Sequence, residues 1–136
     1  MDRTLTSIKA LSDKQRIRIV AALSGGELCL CSLQEILGLS PSTVSRHVSI
    51  LKHAGLVASR TEGKWRYFNL AKDLENTPEG GLVRWLLQSL ENNAQADEDK
   101  ISARKLRESQ EWRCSFCVAV NDRSKKKRSG KENKGK

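Results

Sequence analysis

Residues 40–56, SPSTVSRHVSILKHAGL, constrain the fold more than any other stretch, because a helix start, two contrasting faces and a stop signal fall close together. The Ser40 hydroxyl can accept an otherwise unpaired backbone N–H as an N-cap, and Pro41 suits the first helical position, where no N–H is needed. Val44, Val48 and Leu51 recur at helical spacing as a stripe for burial. Ser42, Ser45, Arg46, Ser49 and His53 project from the opposite side, with Thr43 beside them. Gly55 closes the helix. Such a face suits a helix laid in the DNA major groove, since small side chains let the backbone approach the base edges. Hydroxyls bond phosphates or either edge type, and Arg pairs bidentately with guanine. A solvated helix face has a similar composition, so this stretch alone leaves both readings open.

The segment that follows favours DNA. Residues 56–60 and 66–70 are short β-prone runs, and Thr61, Glu62, Gly63 and Lys64 between them have the glycine of a tight turn. Arg60, Lys64 and Arg66 against Glu62 leave this hairpin two positive charges in excess, beside Arg46 and Lys52 of the helix. Phosphate contacts need such clustering. Helix, glycine turn and basic hairpin, preceded by a helix over residues 32–39, predict a winged helix-turn-helix. The expected fold is mainly α with a two-stranded β-wing, and homodimeric.

At 136 residues and 38% hydrophobic, the chain has room for one small domain with tails. The net charge of +9 is a poor guide to DNA binding, because residues 123–136 hold eight basic residues against one acid. The expected division is a DNA-binding and dimerisation domain over 1–94, an extension with a cysteine pair over 95–122, and a basic disordered tail over 123–136. That tail either adds nonspecific DNA contact or only solubilises. No apolar run near the start is long enough for a signal peptide, and none later spans a membrane, so a cytoplasmic protein without a membrane partner is expected.

In that compartment the four cysteines, Cys29, Cys31, Cys114 and Cys117, are expected as thiols, and their close spacing favours metal or redox chemistry over structural disulfides. Ser12 to Gln15 and Ser32 to Glu35 read as capping boxes, each opening a helix, which puts Cys29 and Cys31 just ahead of the second. Residues i and i+2 point apart on a helix but share a side when extended, so chelation favours a non-helical lead-in. Soft thiolates select soft or borderline ions such as Zn(II), Cd(II), Pb(II) or trivalent arsenic. Two buried apolar cysteines are the competing reading. Later, Leu82, Val83, Leu86, Leu87 and Leu90 make an apolar face wide enough for a core and a second subunit. Residues 92–99 read as a break, and residues 100–111 as a mostly exposed helix.

ELCLCSL at residues 27–33, followed by LGLSPSTVSRHVSILKHAGLV and GKWRYFNL, resembles the arsenical-resistance (ArsR/SmtB) repressors over about half the chain. The resemblance implies a homodimeric winged-helix repressor of double-stranded operator DNA, needing no resident cofactor. It is released when Cys29 and Cys31 capture an inducer, arsenite or a thiophilic divalent ion. Arsenite-sensing members usually carry a third cysteine where Gln34 stands here. Cd/Pb sensors take further ligands from an N-terminal arm, but residues 1–26 contain no Cys or His. The family's second site needs histidines that residues 80–94 lack. The C-x-x-C pair Cys114 and Cys117 could complete the site with Cys29 and Cys31, form a separate site, or act as an oxidisable thiol pair, and the expectation is that they are accessory ligands.

A thiol-redox-sensing repressor is an alternative, and a thiol oxidoreductase built on Cys114 and Cys117 is a weaker one. A redox C-x-x-C is expected beside a βαβ pattern at a helix N-terminus, and neither precedes Trp112. No phosphate loop or nucleophile elbow occurs either, so no enzyme is expected.

Overall fold

The computed structural model describes residues 1–109. Helices α1 (Asp2–Ala10) and α2 (Lys14–Leu23) lead to a short strand β1 (Leu28–Cys29), then α3 (Leu30–Leu37) and α4 (Pro41–His53). Strands β2 (Val57–Glu62) and β3 (Trp65–Leu70) form the wing, and α5 (Pro78–Ser89) and α6 (Ala94–Glu108) complete the fold. The wing is present, but the sheet has three strands, in the order β1-β3-β2, where two were expected. All pairings are antiparallel, with Leu28 opposite Phe68 and Cys29 opposite Tyr67. A two-residue strand has no periodicity of its own, and β1 exists only because β3 offers it an edge.

Both capping boxes are displaced. Ser12 donates its hydroxyl to the Ile8 carbonyl at 2.7 Å, while Asp13 caps α2, accepting the N–H groups of Gln15 and Arg16 at 2.8 and 3.2 Å. A carboxylate there also complements the positive helix end, which favours it over a hydroxyl. Helix α3 begins at Leu30 with Cys29 as its N-cap residue, so Ser32 is buried in the first turn instead of opening the helix. Helix α4, by contrast, has the expected bounds, with Ser40 accepting the Thr43 N–H at 3.3 Å and Gly55 at φ +78° beyond its end.

The core gathers Ile19, Val20 and Leu23 from α2, Leu33 from α3, Val44 and Leu51 from α4, and Leu28 and Phe68 from the sheet. Helix α6 belongs to it. Ala96 and Ala103 are buried, and Ala103 lies in the main apolar cluster, so α6 already begins at Ala94, inside the stretch expected as a break, and packs on the core along one narrow face while most of its other residues are exposed, as expected. Asp99 receives a two-pronged pair from Arg18, Nε to Oδ2 at 2.8 Å and Nη2 to Oδ1 at 3.0 Å, and a third bond from Gln95 at 3.0 Å. Arg18 also donates to the Ile36 carbonyl at 3.0 Å, joining α2, α3 and α6 at one point. The Asp99 bond holds the Arg18 pKa above its ordinary value despite opposing burial.

Helix α5 follows a 3-10 turn, Leu74–Asn76, and crosses it so closely that a Cβ on Gly80 would overlap the Leu74 carbonyl oxygen. Backbone cannot yield as a side-chain tip does. Gly80→Ala is expected to destabilise the chain by about 1 to 3 kcal/mol, an overpacking effect readable in a urea midpoint. Val83 and Leu86 of α5 are buried, whereas Trp85 is 62% exposed, as are Leu5 (44%) and Ile8 (47%) of α1. Arg3 of α1 pairs with Glu79 of α5 at 2.8 Å. Among the described residues, no helix is long and apolar enough to cross a membrane.

Candidate functional site

Alternation along β3 divides the sheet into two working faces. Phe68, with Leu28 and Ser59 opposite it on either side, faces the core and α4. Lys52 of α4 reaches this face, donating to the Ser59 hydroxyl at 2.8 Å. Trp65 and Tyr67, one residue out of phase, face the other way, and Cys29 and Arg60 flank Tyr67 in register.

On the first face α4 presents Ser42, Arg46, Ser49 and His53 to solvent, with Thr43 and Ser45 half-buried. Val44, Val48 and Leu51 anchor it from beneath. Thr43 is turned toward the helix start, its hydroxyl 2.8 Å from that of Ser40. Arg46 has no ion-pair partner among the described residues, which leaves its fork open to an acceptor from outside. Arg16 bonds the carbonyls of Ala10 (2.6 Å) and Lys9 (3.2 Å) and lies 3.3 Å from His47 Nδ1, steadying the flank of α4 against the α1–α2 junction. In the wing, Lys64 follows Gly63, whose φ of +61° suits the first residue of a two-residue hairpin turn. Arg66 lies on the helix side, its guanidinium 5.6 Å from the Phe68 ring centre.

Arg60, grouped with Lys64 and Arg66 on the sequence, is placed differently from Arg66. It faces the opposite side, where Nε and Nη2 donate to the Glu27 carboxylate, both at 2.7 Å, and Nη1 donates to Glu62 at 2.8 Å. Its guanidinium stacks 4.5 Å from the Tyr67 ring centre. Bonds to Glu27 first, then Glu62, raise its pKa above the ordinary guanidinium value. Two carboxylates thus already occupy its donors. Strand alternation carries the signal, since Arg60 and Arg66 sit in opposite phases once Arg60 pairs with Tyr67.

The same face holds the thiols. Cys29, Cys31 and Tyr67 form a buried cluster apart from the main core, and Trp65 packs against it. Cys29 is extended (φ −82°, ψ 166°), and the helix starts between the two cysteines, so α3 does not run back through Leu28. Cys29 Sγ lies 3.3 Å from the Ser32 hydroxyl. The positive end of α3 favours negative charge at this position, as a thiolate requires. Soft thiolates fit a soft ion, but the set is incomplete: among the described residues no group of three or more His, Cys, Asp or Glu side chains could hold a metal. Cys114 and Cys117 lie outside the described residues. Sequence reasoning does not find Glu27, Trp65 and Tyr67 as neighbours of the thiols, because only the pairing of β1 with β3 brings them there.

A groove-sized polar helix, its supporting helix and a basic hairpin define a winged helix-turn-helix DNA-binding module. Comparison with known proteins gives its family. The model of the bacterial regulatory protein arsR family matches residues 13–59. The arsenical resistance operon repressor of Escherichia coli K12 is 31% identical over 96 residues, covering 70% of this chain and 75% of that protein. A cadmium resistance transcriptional regulatory protein CadC homolog of Staphylococcus aureus is 44% identical over 63 residues, 46% of this chain and 52% of that one. A homodimeric winged helix-turn-helix DNA-binding domain from Mycobacterium bovis, Mb0332, superposes with a TM-score of 0.56 at 27% identity, covering 67% of this chain and 80% of that one. The chain belongs to the arsR family of transcription regulators.

Proposed function

We propose that this chain is a homodimeric repressor that leaves its operator when Cys29 and Cys31 capture a thiophilic inducer, trivalent arsenic foremost. The observation that carries this reading is the clustering of both thiols at the start of α3, which packs directly on α4. An ion drawn to the two sulfurs pulls on the first turn of the supporting helix and so on the helix that reads DNA. The arsenical-resistance relative supports arsenic as the inducer.

In this reading Ser42, Thr43, Ser45, Arg46, Ser49 and His53 of α4 meet the major groove, and Lys64 and Arg66 meet the flanking phosphates. Arg46→Ala is expected to weaken operator binding by about 1 to 3 kcal/mol and to relax discrimination at one base pair, measured by anisotropy against single-base operator variants. Trp85, Leu5 and Ile8 give a second copy an apolar face beside the Arg3–Glu79 pair, and two copies of α4 then read a roughly palindromic site. The cytoplasm keeps the thiols reduced.

Cys114 and Cys117 are accessory ligands in this proposal. Their support is their C-x-x-C spacing, which can chelate one soft ion.

Gel-shift titration of the operator complex with arsenite, Cd(II), Pb(II) and Zn(II) tests the proposal. Release by arsenite at the lowest concentration is the expected result. Release by cadmium alone supports a second reading, favoured by the 44% identity to the cadmium regulator. No release by any ion, with release on oxidation and a disulfide found by mass spectrometry, replaces both with redox sensing.

A further inference from the structure

Glu27 is held from two sides at once. Its carboxylate accepts two N–H groups of Arg60, both at 2.7 Å, and its carbonyl accepts from Arg107 of α6 at 3.3 Å. Arg60 stacks on Tyr67, and Tyr67 stands directly opposite Cys29. Glu27 precedes Cys29 by two residues, which closes a ring from the thiol across all three strands and back to its own chain segment. The pair is not needed to hold the wing, because β2 and β3 pair over six residues from Val57 opposite Leu70 to Glu62 opposite Trp65. Nor is it placed to stabilise the fold much, since the two side chains are 52% and 31% exposed and solvent screens such pairs. Its distinguishing property is geometry: a two-pronged fork tolerates little displacement of its carboxylate.

We propose that Glu27 and Arg60 are positioning residues that carry inducer occupancy from Cys29 and Cys31 to the wing. This rests on the repressor reading above. An ion held by both sulfurs ties the extended Cys29 to the first turn of α3 at Cys31 and pulls on both. Only two residues tie β1 to β3, so this short segment moves as a unit and takes Glu27 with it. The fork then loses its fit, and the outer arm of the hairpin, from Arg60 to Lys64, is freed from the body. A contact made in the DNA-competent state and lost in the inducer-bound state is what coupling between two sites requires.

The test uses the full chain and a labelled operator duplex, with Kd measured by anisotropy with and without saturating arsenite. The quantity read is the ratio of the two Kd values. Glu27→Gln and Arg60→Gln are each expected to lower that ratio by about fivefold or more from the wild-type value, and the double variant no further than either single one. Arg60→Lys keeps the charge but not the fork, and the ratio is expected to fall there too, which a simple phosphate contact by residue 60 would not produce. Arsenite stoichiometry, followed by loss of titratable thiols, is expected to be unchanged in all four. A wild-type ratio retained in Glu27→Gln or in Arg60→Lys overturns the coupling while leaving the repressor reading in place. A wild-type chain whose operator affinity ignores arsenite overturns both.

Discussion

Serine in place of Cys29 or Cys31 is expected to abolish inducer release while leaving operator affinity within about threefold of wild type. Coupling between effector and DNA sites is typically about 1 to 3 kcal/mol, or roughly 5- to 150-fold in affinity, and all of it should disappear. A hydroxyl is a hard, protonated donor at neutral pH and does not replace a thiolate toward arsenic or cadmium. One remaining thiol binds such an ion weakly, so each single variant should behave like the double. Both residues are buried, Cys29 at 3% and Cys31 at 9% exposure, so a thermal melt must accompany the titration. A folded Cys29→Ser protein that arsenite still strips from the operator would remove this thiol from the mechanism.

Asp99→Ala is expected to cost the fold about 3 to 5 kcal/mol, the usual penalty for removing one member of a buried ion pair. The Asp99 and Arg18 side chains are 3% and 15% exposed, and the aspartate alone answers two of the guanidinium bonds. Its loss leaves Arg18 with the Ile36 carbonyl and Gln15 but no counter-charge. Replacing both residues together by apolar side chains of similar volume should recover most of the loss, because the stranded charge is then gone as well. Urea midpoints of the two single variants and the double variant check this, and equal destabilisation of Asp99→Ala and the double replacement would contradict it. Since Arg18 of the pair also bonds the Ile36 carbonyl near the end of α3, its loss should also loosen that end of the helix and appear as faster amide exchange around Ile36.

The parts of this fold that were legible in advance are those whose determinants are local. Ser40, Pro41, the stripe of Val44, Val48 and Leu51, and Gly55 all lie within or beside the helix they specify, and each is found where the spacing places it. The start of α3 was misplaced by two residues because the extended conformation of Cys29 depends on pairing with Tyr67, far along the chain. The role of α6 was hidden for a related reason. Its buried face consists of small alanines and one aspartate, a pattern that reads as solvated until Arg18, 81 residues earlier, is seen opposite it. At the candidate site, the DNA face follows from helical periodicity, but the environment of the thiols does not. Glu27, Tyr67 and Arg60 become neighbours of Cys29 only through the three-stranded register.

Because β3 lends Arg66 and Phe68 to the face shared with α4 and Trp65 and Tyr67 to the face of the thiols, one strand borders both surfaces through alternating residues. If the proposed repressor reading holds, substitutions at 65 and 67 reshape the surroundings of the thiols while leaving every side chain of α4 in place, so a sensor for another soft ion could be built on the same promoter.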